Sequence, residues 1–119
     1  MEQKLSDSEL EIMQLLWENG ELRASAVADL AKVKTGWEKN TTYTFLQRLI
    51  KKGAITRRDP GFFCSAACKR DELLGQEARG MVNKLFDGSI GMFVHAFIDG
   101  SGITAEEREE LQKLIDQHK

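Results

Sequence analysis

The most constraining feature of this chain is a segment divided by a single glycine. Before it, residues 39–52 (KNTTYTFLQRLIKK) open on small polar residues and continue as an amphipathic run. Leu46, Leu49 and Ile50 fall at i, i+3 and i+4, the stripe by which a helix packs inward. Asn40 or Thr41 is placed to cap its start. Gly53 ends the run; AITRR then reads as a short strand, DPG as a tight turn and FFCS as a returning strand. The outward side of the helix keeps Thr41, Thr44, Gln47, Arg48 and Lys51, donors and acceptors of the kind that read base edges or grip phosphates.

Two helices precede it. LSDSELEIMQLLWENG spaces Ser6 and Glu9 as a capping box, repeats Leu10, Met13, Leu16 and Trp17 at helical intervals, and stops at Asn19-Gly20. LRASAVADLAKVKTG reads as a second helix with Ala24, Val27, Ala28, Leu30 and Ala31 on or near its buried side and Ser25 as its cap, closed by Gly36. Helix, helix, helix, strand, turn, strand is the order of a winged helix-turn-helix domain, expected over residues 1–68. A helix fits the major groove, small residues near its N-terminus let the backbone approach, and the helix start offers N–H groups to phosphate. The hairpin would carry Arg57 and Arg58 to the flanking backbone or minor groove. Trp17 and Trp37 read as core and helix-anchor residues, and Tyr43 either touches DNA or braces the helix.

The charge distribution agrees. The overall formal charge is −2, yet residues 1–70 hold 12 basic against 9 acidic side chains, and residues 71–119 hold 5 against 10. Residues 32–58 alone carry eight basic side chains and one acid, Glu38. A basic block within an acidic chain is the footprint expected of a phosphate-binding surface.

Residues 69–119 read as helices and as a dimerisation domain, making the whole chain mainly α. Leu74, Ala78, Met81, Val82 and Leu85 share one stripe; SIGMFVHAFIDGSG contributes Ile90, Phe93, Val94 and Phe97; Thr104 caps a last helix, with Glu107 at the box position, bearing Leu111, Leu114 and Ile115. About fifty residues bury this much apolar surface poorly alone. A second copy of the chain is the economical partner, and two-fold symmetry would set two reading helices about one DNA turn apart.

Other classes fit less well. The longest apolar run, Ile90–Ile98, is too short to span a bilayer, and the first ten residues lack the apolar core of a signal peptide, so a cytoplasmic protein is expected without membrane insertion. Cys64 and Cys68 are too few for a disulfide scaffold, and along an extended strand they would stand roughly 13 Å apart. They read as small buried residues beside the hairpin. His95 reads as a packed or interface residue. There is no CxxC, no HExxH, no nucleophile–base pair and no glycine-rich phosphate cradle, so neither an enzyme nor a metal or cofactor site is expected. Two other readings remain: a winged-helix module for protein contacts, or a regulator whose apolar tail encloses a small molecule.

LSDSELEIMQLLWENG, then WEKNTTYTFLQRLIKKGAI, then a short wing and an acidic helical tail, resembles the penicillinase-repressor family, the BlaI/MecI/CopY winged-helix repressors. The likeness is closest over residues 5–58 and looser, but continuous in helix order, to the end. It rests on Trp17, Trp37, Thr41, Thr44, Arg48, Leu49 and Lys52-Gly53 at these spacings. The resemblance implies a homodimer that binds a palindromic operator in double-stranded DNA and represses transcription. Carried over, the base contacts of the third helix would come from Asn40, Thr41, Tyr43, Thr44 and Arg48. Lys39, Lys51, Lys52, Arg57 and Arg58 are expected to hold phosphates. Two departures stand out. The copper-responsive branch has paired C-x-C motifs near its C-terminus, and EEREELQKLIDQHK has no cysteine. The antibiotic-resistance branch is inactivated when a membrane sensor-protease signal leads to cleavage before a phenylalanine in the dimerisation region. Phe97 sits in a similar place, so the resemblance would put cleavage at Ala96-Phe97, but Ala96 stands where the known repressors have asparagine.

Overall fold

The computed structural model describes residues 5–100 and 102–118. Six helices and a small sheet follow in the order α1 (Asp7–Asn19), β1 (Leu22–Arg23), α2 (Ala24–Thr35), α3 (Lys39–Lys51), β2 (Ile55–Arg58), β3 (Phe63–Ala66), α4 (Arg70–Leu85), α5 (Ile90–Asp99) and α6 (Ala105–Gln117). The chain divides into two compact units, residues 1–75 and 76–119.

The first unit is a winged helix-turn-helix. Its core joins Ile12, Met13 and Leu16 of α1, Val27 and Ala31 of α2, Leu46 and Leu49 of α3, and Ile55 and Cys64 of the hairpin. Local chemistry sets the boundaries. Ser6 and Glu9 close the expected capping box of α1. At the end of α3 the Gly53 N–H bonds to the Ile50 carbonyl and the Ala54 N–H to that of Leu49. This double closure requires the left-handed φ of 82° at Gly53. The bond turns the chain directly into β2.

The structure corrects several details. Leu22 and Arg23 form a strand rather than the start of a helix; β1 pairs with β3, giving an antiparallel sheet in the order β1-β3-β2 with Leu22 opposite Cys64. Helix α2 therefore starts at Ala24, and Ser25 lies inside its first turn instead of capping it. Leu30 is exposed. The cap position of α3 is Glu38, without a side-chain bond, so Asn40 and Thr41 stand in the first turn rather than before it. Leu73, early in α4, is only 1% exposed and completes the core of this first unit.

The second unit is helical. Ser89 caps α5, and Thr104 and Glu107 form the expected capping box of α6. Phe93 packs edge-on against both Phe86 and Phe97, with centroids at 5.5 and 5.0 Å.

Candidate nucleic-acid interface

Helix α3 has a sharply two-sided character. Thr42, Leu46 and Leu49 are buried, and Lys39, Asn40, Thr41, Thr44, Gln47, Arg48 and Lys51 are exposed. The exposed set alternates donors, acceptors and cations along one face. The Thr44 hydroxyl donates to the Asn40 carbonyl at 3.0 Å, which fixes the rotamer and leaves its lone pairs outward. Arg48 and Lys51 fall in the last turn, where cations favour the negative end of the helix. The helix is anchored from behind by Trp37, whose ring lies 5.0 Å from that of Phe45. Trp17 performs a similar task for α1, its indole N–H donating to the Cys68 carbonyl at 3.0 Å.

Tyr43 is half-buried and links helix to wing. Its ring lies 5.9 Å from that of Phe62, and the Lys39 ammonium sits 5.6 Å from its centroid. The Arg57 guanidinium stacks on the other aromatic of this pair, 3.6 Å from the Phe62 centroid. Lys39, Tyr43, Phe62 and Arg57 thus form a continuous ladder of cations and rings from the start of α3 to the hairpin.

Three of the expected phosphate ligands already have acidic partners. The Lys52 ammonium is 2.7 Å from Glu9 Oε1, with the glutamate side chain 3% and the lysine 21% exposed. Lys52 is therefore tied to α1, which departs from its expected place at a phosphate. Burial raises the Glu9 carboxyl, but the bonds from Lys52 and Ser6 outweigh it and hold the group below the ordinary range. Arg57 bonds Asp59 at 3.0 Å, and Arg58 bonds Glu21 at 2.7 Å. The Arg58 hydrogen bond keeps the Glu21 carboxyl low and, reciprocally, raises the guanidinium. Glu9 was visible as a cap and Asp59 as part of the hairpin turn, but Glu21 carries no sequence signal that ties it to Arg58.

Both cysteines are unpaired with each other, Cys64 buried in β3 and Cys68 half-buried. Burial pushes both thiols up, away from the reactive thiolate. The described residues contain no cluster of three or more His, Cys, Asp or Glu side chains arranged for a metal.

The family model for penicillinase repressors matches residues 5–117. The chain belongs to the penicillinase-repressor family. It is 29% identical to the penicillinase repressor of Bacillus licheniformis over 98% of this chain and 92% of that one. It is 22% identical to the methicillin resistance regulatory protein MecI of Staphylococcus aureus over 96% and 94%. Among solved structures, the DNA-binding domain of the repressor BlaI matches with a TM-score of 0.56 and 28% identity, covering 60% of this chain and 90% of that one. The monomeric form of Bacillus licheniformis BlaI in complex with the blaP half-operator matches with a TM-score of 0.54 at the same identity and coverage. Members of this family are transcriptional repressors, DNA-binding regulators rather than enzymes.

The second unit exposes most of the apolar residues expected to meet a partner. Met81, Leu85, Ile90, Phe97, Leu114 and Ile115 are exposed, while Phe93, Val94 and Leu111 are half-covered. Two expectations shift. Val82 is buried within the single chain, and Leu74 falls in the first unit, where it is exposed. His95 is exposed rather than packed, with Asp99 at 2.8 Å.

Proposed function

We propose that this chain, a DNA-binding repressor, acts in the bacterial cytoplasm as a homodimer that reads a palindromic operator with one α3 from each subunit. Thr41, Thr44 and Arg48 read base edges, Asn40 and Tyr43 assist, and Lys39 and Lys51 hold phosphates, with Arg57 and Arg58 reaching the flanking backbone. The observation that carries this reading is the exposed face of α3, polar and cationic along its whole length on a repressor fold. Its uncapped start leaves N–H groups for a phosphate. The BlaI relative in its monomeric form takes a half-operator, which is what one member of a symmetric pair would do.

Dimerisation is supported by α5 and α6, in which no described residue is buried although Met92 is 60% and Ile115 50% exposed. No helix among the described residues is long and apolar enough to cross a membrane. Release of the operator through a membrane sensor-protease signal fits the family, with Ala96-Phe97 as the bond cut. That bond lies inside α5, so cleavage needs this helix to unwind locally.

Selection of bound duplexes from a random pool tests the reading. An inverted repeat should emerge, and Arg48→Ala should weaken its binding by about 1–3 kcal/mol, the worth of a bidentate base contact. Lys51→Ala should flatten the salt dependence by about 0.9 per subunit while keeping the sequence preference. Recovery of no duplex, or full affinity in Arg48→Ala, would refute it.

A further inference from the structure

Both arginines of the hairpin are already paired, Arg57 with an acid of the turn and Arg58 with one that precedes β1. Arg58 meets Glu21 along one edge, Nη2 to Oε1 at 2.7 Å and Nε to Oε2 at 3.4 Å, and its guanidinium lies 4.4 Å from the Phe63 centroid. Arg57 directs Nε at both oxygens of Asp59, at 3.0 and 3.3 Å, and stacks on Phe62. The sheet register brings these groups together: Arg23, Phe63 and Arg58 stand side by side across the three strands, with Glu21 just before the first. The same Asp59 accepts the Phe62 N–H at 3.2 Å, so the turn itself holds that acid in place.

We propose that Glu21 and Asp59 are internal competitors for phosphate that set the strength of the wing's grip on DNA. The inference rests on the reading that this face meets a duplex. A carboxylate presents a guanidinium with the same fork of acceptor oxygens as a phosphate does. For Arg58 to grip the backbone it gives up Glu21, and the freed carboxylate draws a cation from solution, which offsets the counterion that the phosphate releases. The charges of these two pairs cancel, and in the patch only Arg23, over the Phe63 ring at 4.9 Å, adds an uncompensated cation, so the hairpin itself adds little long-range attraction. That attraction is left mainly to Lys39, Arg48 and Lys51 of α3, which, like Arg23 and Lys32, make no ion pair among the described residues. Arg58 and Glu21 are 58% and 40% exposed. Pairs this open are weak enough for a phosphate to displace.

The test measures full-length wild-type, Glu21→Gln, Arg58→Ala and the double variant against operator and scrambled duplexes over a range of salt. Glu21→Gln should tighten binding by about two- to fivefold per subunit at low salt, the strength of an exposed pair. It should also steepen the salt slope by up to about 0.9 per subunit. In the Arg58→Ala background the same change should have a clearly smaller effect, limited to relief of the carboxylate's repulsion of the duplex. Weaker binding by Glu21→Gln would show that the carboxylate braces the arginine and would overturn the proposal, as would an unchanged slope or an effect equally large without Arg58. A wild-type chain that binds no duplex would instead refute the DNA-binding reading, and this proposal with it.

Discussion

Replacing Lys52 with methionine, which keeps the stem and removes the charge, isolates the ion pair between α1 and the end of α3. Breaking a fully buried pair by removing one partner costs about 3–5 kcal/mol, and an exposed pair contributes about 0–1. Glu9 is at the buried limit, 3% exposed, and Lys52 lies between, at 21%. The glutamate also keeps the Ser6 N–H at 2.9 Å after the change. A loss of about 2–3 kcal/mol at pH 7 is therefore expected, read by urea unfolding at fixed protein concentration and followed by the fluorescence of Trp17 and Trp37.

The dependence on pH separates this pair from ordinary packing loss. In the wild type the Glu9 carboxyl is held below its ordinary value of 4.5, so its stabilisation is complete above that value and is lost as pH falls through the lower folded value. Without Lys52, the burial that otherwise raises the group meets less opposition. The variant then favours a protonated Glu9, and its penalty grows as pH rises. The gap between the two proteins should shrink from pH 7 to about pH 4, and Glu9→Gln in the Lys52→Met background should recover part of the loss. A loss below about 0.5 kcal/mol, or one equal at both pH values, would refute the pair as described. The salt slope of operator binding gives an independent check, because Lys52→Met should leave it unchanged while Lys51→Ala lowers it.

Leu46, fully buried on the inner face of α3, should cost about 2–5 kcal/mol on change to alanine, measured by the same unfolding assay. Gly53→Ala meets no atom within 4 Å but must hold φ near 82°, so a loss of about 1–2 kcal/mol from backbone strain alone is expected, with operator preference retained below the unfolding transition.

These outcomes turn on which parts of the molecule are local. The capping boxes at Ser6–Glu9 and Thr104–Glu107 and the stop at Gly53 are decided within a few residues, and all three were legible. So was the two-sided character of α3, because helical spacing alone decides which side chains meet a core. Strand β1 was not. Two residues carry no periodicity, and Leu22–Arg23 are extended only because β3, some forty positions on, offers them an open edge. Leu73 was hidden for a related reason: a leucine at the start of a long amphipathic helix reads the same whichever unit it packs into.

Charge shows the limit most clearly, since a sequence states its sign but not its availability. Of the eight basic residues between positions 32 and 58, four have a carboxylate within 4.0 Å: Lys34 with Glu11, Lys52 with Glu9, Arg57 with Asp59 and Arg58 with Glu21. All four acids lie outside that stretch, so a count within it overstates the cationic surface. The block contracts to Lys32, Lys39, Arg48 and Lys51, and three of these stand on α3. Long-range attraction to a duplex is thereby concentrated on the helix that also carries the side chains proposed to read bases. A chain whose wing acids are removed should approach DNA with its hairpin as readily as with its reading helix, and the steepened salt slope expected of Glu21→Gln is the measurable form of that difference.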